Sequence, residues 1–208
     1  LNPSSAASDV YKRQDISNST TGSEGRGIYL HQSGENGGNT ITVTGDISTV
    51  KESLLYNGSN TNKNTSVYTG NISSSTEEAV YFNQSDSNTT TITGNITSSA
   101  STGIRFYNAA NSNTTTVTGN ITASEGLQIN DNSDSNTTTI TGNISATGDG
   151  LYIRTAVSNI TTITGNITAG SEGMYLSSSD SNVFNYTGTL AADADAIYLN
   201  ASDSNTFN

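Results

Sequence analysis

Cysteine and tryptophan are absent from the 208 residues, and proline and histidine occur once each. Without cysteine there are no disulfides and no thiolate metal sites, so stability has to come from packing and hydrogen bonding. The lone proline is Pro3, which leaves the remaining chain free of the residue that interrupts hydrogen-bonded ladders. No apolar run approaches the roughly 18 residues that suggest a membrane helix, so the segment is not expected to insert into a bilayer. Basic residues are scarce too, 7 against 18 acidic, for a net charge of −11. Such a surface repels phosphate backbones and disfavours nucleic-acid partners. Only 31% of residues are apolar and Asn, Thr, Ser and Gly dominate, a composition that by itself suggests disorder. The periodicity decides otherwise.

Residues 4 to 14, SSAASDVYKRQ, do not share that periodicity. They read as the in-frame translation of a transposase-type sequencing adapter, so residues 1–14 are expected to be foreign and 15–208 to be a fragment of a longer protein, cut inside a repeat at both ends. Setting aside Asp9, Lys12 and Arg13 leaves a net charge of −12.

SDSNTTTITGNI stands at residues 85 to 96 and again, unchanged, at 133 to 144. It belongs to a T-G-[N/D/T]-[I/L] tetrad whose glycine recurs at Gly45, Gly70, Gly94, Gly119, Gly142, Gly165 and Gly188, in steps of 23 to 25 residues. Two residues before that glycine stand Val43, Tyr68, Ile92, Val117, Ile140, Ile163 and Tyr186, and two after it an Ile or Leu from Ile47 to Leu190. Their shared parity predicts inward-facing strand positions, while the threonine next to each glycine faces water. A second strand follows as small residue, aliphatic, variable, apolar, from GIYL at 27–30 through GIRF at 103–106 to AIYL at 196–199. Its second and fourth positions are core and its third is surface.

Six residues before each tetrad glycine is an asparagine: Asn39, Asn64, Asn88, Asn113, Asn136, Asn159 and Asn182, with Asn205 opening another copy. Asparagine tolerates left-handed backbone and bonds to turns, and stacked once per coil it exchanges amide hydrogen bonds along an axis. Short strands at this spacing, without helical periodicity, predict an all-β, right-handed parallel β-helix of about eight coils of 23–25 residues. One such coil cannot bury its apolar face alone, so only the stack folds. Open coil ends are expected to be able to self-associate.

GIYL, a Ser/Asn turn and T-I-T-G-N-I together resemble the β-helix repeats of bacterial autotransporter passengers and related adhesins over almost all of 15–208. That resemblance implies a non-enzymatic stalk or adhesin segment, extracellular or on a bacterial cell surface, with glycans or surface proteins as partners and no cofactor. Polysaccharide lyases share the coil, which makes a carbohydrate-active β-helix the alternative.

Catalytic constellations are scarce. His31 has no nucleophile visibly paired with it, and Arg26, Lys51, Lys63, Arg105 and Arg154 fall in different columns. Asp86, Asp134, Asp180 and Asp203 recur in the S-D-S-N turn, but Asn111 and Val157 interrupt them, and they read as solvated turn residues rather than calcium ligands. N-x-[S/T] sequons such as Asn95-Ile96-Thr97 are numerous because the repeat writes them. Two outward arrays are candidate ligand faces. Tyr29, Tyr81, Tyr152, Tyr175 and Tyr198 occupy the variable position of the second strand, either as a sugar platform or as cross-strand pairs that stiffen the sheet. Thr91 and Thr93, Thr116 and Thr118, Thr139 and Thr141 form T-x-T ranks that resemble the faces of ice-binding solenoids, a third functional alternative.

Overall fold

The computed structural model describes residues 10–13, 15–20, 25–32, 38–58 and 62–208. They form an all-β parallel solenoid of three sheets, one with nine strands and two with eight, so that eight rungs make about seven turns. One coil serves for all. Thr114–Thr118 lies in the first sheet, Ile121–Ala123 in the second and Leu127–Asn130 in the third. Each strand pairs in parallel with its counterparts in the coils before and after it.

The T-G-N-I tetrad is therefore a corner, not a continuous strand. Val117 closes the first-sheet strand and Ile121 opens the second-sheet strand, so both face the core although they belong to different sheets. From residue 47 onward this corner always has two residues, whereas the other two connections vary, from three to five and from five to seven residues. The variable connections absorb the difference between 23- and 25-residue coils. Glycine is required at the corner because φ is +149° at Gly119 and a Cβ there would collide with the carbonyl of Gly94 in the preceding coil.

Inside, like residues stack on like. Ile72, Ile96, Ile121, Ile144 and Ile167 form one buried column, and the rings of Tyr56, Phe82 and Phe106 form another, with centroids 4.6 and 4.7 Å apart. The threonines of T-T-T-I-T do not all face water. Thr90, Thr115, Thr138 and Thr161 point inward and are buried, because the central threonine shares the parity of the core isoleucine. Leu55 is another departure. It occupies a surface position yet is only 4% exposed, in register between Tyr29 and Tyr81.

Val10–Arg13, within the segment assigned to foreign coding, lies in parallel register with Ile41–Thr44 and supplies the ninth strand of the first sheet.

Candidate functional site

The asparagine column is an internal amide ladder. Asn88 Nδ2 donates 3.0 Å to Asn113 Oδ1, and Asn113 Nδ2 donates 3.1 Å to Asn136 Oδ1. The same pattern links Asn39 to Asn64, Asn64 to Asn88, Asn136 to Asn159, Asn159 to Asn182 and Asn182 to Asn205. Each Oδ1 also accepts the backbone N–H of the preceding asparagine, as Asn113 Oδ1 does from Asn88 at 3.0 Å. The left-handed residue of this turn is not the asparagine but the serine before it: Ser87, Ser112, Ser135, Ser158 and Ser181 have φ between 57° and 59°.

Two further ladders cap backbone N–H groups from outside. At the glycine corner, Asn71, Asn95, Asn120 and Asn143 each accept the backbone N–H of the next corner residue at 2.8–3.0 Å. In the S-D-S-N turn, Asp86 accepts from Asn111 N, Asn111 from Asp134 N, Asp134 from Val157 N and Asp180 from Asp203 N, at 2.7–2.8 Å. The turn aspartates are thus structural caps, and Asn111 continues their column by offering the same acceptor.

The outer face of the third sheet carries the tyrosine column. Tyr29, Tyr81, Tyr152, Tyr175 and Tyr198 do fall in one register column, with Leu55, Arg105 and Gln128 completing it. Tyr152, Tyr175 and Tyr198 stack ring on ring, with centroids 5.2 and 5.3 Å apart, so their faces lie largely against one another. Tyr81 lies in a cluster with Arg105, whose guanidinium lies 4.3 Å from the Tyr107 ring centre and 5.5 Å from that of Tyr81. Burial above all pushes the Tyr81 hydroxyl up to about 12.

Beside the tyrosines runs a column that the sequence reading missed: Arg26, Glu52, Glu78, Thr102, Glu125, Asp149, Glu172 and Asp195, each one residue before the small residue that opens the third-sheet strand. Its signal was an acid followed by Gly, Ala or Ser and then an aliphatic residue. At one end the acids are paired, Arg26 Nε to Glu52 Oε2 at 2.9 Å and Arg105 Nη1 to Glu78 Oε1 at 2.7 Å. Farther along, acids face acids. Glu172 N donates 3.1 Å to Asp149 Oδ1, and burial, followed by the Glu172 carboxyl, raises the Asp149 pKa to about 6.

The threonine ranks lie on the first sheet in register, Thr91 with Thr116 and Thr139, and Thr93 with Thr118 and Thr141. Val67, which is exposed, occupies the Thr91 rank in the preceding coil, and Ile160, also exposed, follows Thr137 in the adjacent column. His31 is exposed, with its ring 5.5 Å from that of Tyr29.

No protein-family model, curated protein or solved structure matches this chain.

Proposed function

We propose that the chain is a stalk and adhesion segment of a secreted or cell-surface, autotransporter-like protein. It acts as a rigid, acidic, non-enzymatic rod whose outer faces meet glycans or surface proteins. Continuity supports this reading: parallel register runs from Ile47 to Phe207 through three sheets, so bending the rod strains ladder bonds on three sides together. An acidic surface over such a stack also keeps neighbouring rods apart. The test displays one or two copies of the segment between a bacterial outer-membrane anchor and an N-terminal epitope. Two copies are expected to hold the epitope farther from the membrane by one rod length, with the rod resisting proteinase K. An unchanged height or ready digestion rules out the stalk role, and failure of segment-coated beads to bind glycan-bearing cells rules out the adhesive one.

One observation favours a second reading. Asp149 and Glu172 stand three residues before the stacked Tyr152 and Tyr175, and a carboxyl raised to about 6, as that of Asp149 is, suits the general acid of a glycoside-cleaving site. A carbohydrate-active rod releases sugar fragments from a polysaccharide and loses that activity in both Asp149→Asn and Glu172→Gln. Product release that survives both changes, or no release from any polysaccharide tried, removes this reading.

A further inference from the structure

The repeat writes two sets of N-x-[S/T] sequons in the same coils, and the fold treats them oppositely. Asn64, Asn88, Asn113, Asn136 and Asn159 stand on the internal ladder, at most 1% exposed, with every Nδ2 donating to the next amide. Asn71, Asn95, Asn120, Asn143 and Asn166 stand on the outer glycine corner, and all five are exposed. There the Oδ1 accepts a backbone N–H, which fixes the amide's orientation and turns Nδ2 outward. No Nδ2 of these five has a protein partner among the described residues. Two residues on, Ser73, Thr97, Thr122, Ser145 and Thr168 sit at the outward middle position of the second-sheet strand, on the same surface as their asparagine.

We propose that this corner is a row of N-glycosylation acceptors, Asn71, Asn95, Asn120, Asn143 and Asn166, and that the ladder sequons are silent in the folded rod. The donor is a sugar activated as a diphosphate. Nδ2 attacks the anomeric carbon, a C–N bond forms as the C–O bond to the diphosphate breaks, the amide gives up one proton to a base of the transferase, and the diphosphate leaves with the bonding pair. No electrons are exchanged with a third party. Substitution uses only Nδ2, so Oδ1 keeps its backbone N–H and the corner ladder survives. The same reaction on Asn113 would remove a donor from the buried column and place a sugar in the core. Successive corners are about 4.8 Å apart, so a single sugar fits on every coil while a branched oligosaccharide crowds its neighbours and favours alternate coils.

The test incubates the folded 208-residue chain in two arms, a soluble N-glycosyltransferase with a UDP-hexose and a membrane-bound transferase with a lipid-diphosphate oligosaccharide, and maps occupancy by peptide mass spectrometry. The urea-unfolded chain serves as reference. We expect the corner asparagines to be modified at least tenfold more than the ladder asparagines in the folded chain, and both sets to be modified when it is unfolded. The variants Thr97→Ala and Thr122→Ala should lose sugar at Asn95 and Asn120 alone. Comparable occupancy of the two sets in the folded chain, or no sugar on the corner in either arm, overturns the proposal; the arm that works identifies the donor.

Discussion

Asp149 and Glu172 occupy equivalent places in successive coils, and the Glu172 backbone N–H donates to the Asp149 carboxylate at 3.1 Å. That single N–H does not offset burial and a neighbouring carboxyl, and the Asp149 pKa stands at about 6 instead of 3.8. A raised acid favours the folded state in its protonated form. Its contribution is therefore complete below about pH 4 and lost as pH rises through 6. Asp149→Asn keeps an oxygen acceptor for the Glu172 N–H and removes the charge. Urea midpoints should show the variant more stable than wild type at pH 7.5, with the difference clearly smaller at pH 4.5. An equal difference at both pH values counts against the carboxyl pair.

Asn113→Ala should cost about 2–6 kcal/mol, because two buried donors of Asn88 lose their acceptor and each orphaned group costs about 1–3 kcal/mol. Asn120→Ala, at the exposed corner, leaves the Asn143 N–H to water and should cost about 1 kcal/mol or less. Denaturant titration of the two variants measures the contrast. Equal costs would mean that the internal ladder is no more than a turn.

Gly119→Ala tests the corner. Both the φ of +149° and the collision with the Gly94 carbonyl oppose a side chain, and the strain alone costs about 1–3 kcal/mol. We expect a lower melting midpoint with unchanged far-ultraviolet dichroism.

The threonine ranks face water in register, yet Val67 and Ile160 interrupt the face on either side. The stalk reading expects freezing and melting points that coincide. Thermal hysteresis in the native chain that vanishes in Thr116→Tyr or Thr139→Tyr would instead establish ice binding.

Much of the architecture was legible because a parallel stack repeats its columns. The isoleucines at 72, 96, 121, 144 and 167 face inward for the same reason in every coil, and alignment on one glycine exposes them. The corner was not legible as a corner. Parity counting carried Val117 and Ile121 inward as though they shared a strand, and the turn at Gly119 and Asn120 gave the same answer by a different route. The parity that turns Thr91 and Thr93 outward also turns Thr90 inward, and Thr115 with it, although threonine is so often a solvent-facing strand residue. The acidic column escaped because Arg, Glu, Thr and Asp share it and it lies in a connection, where no strand period marks position. Its neighbours are supplied by residues 23 to 27 positions away, such as Glu78 for Arg105 in the next coil, and Glu172 for Asp149.

The ladders also give the rod a sense of direction. In the buried column every amide donates toward the following coil, whereas at the outer corner and in the S-D-S-N turn the following coil donates back. The arrangement is polar, like a row of arrows with a counter-row alongside. Two such stacks joined head to tail can satisfy all three rows at once, while head to head they would set donor against donor. Any assembly that extends this solenoid through its coil faces is accordingly a one-way polymer, and its two faces are not interchangeable.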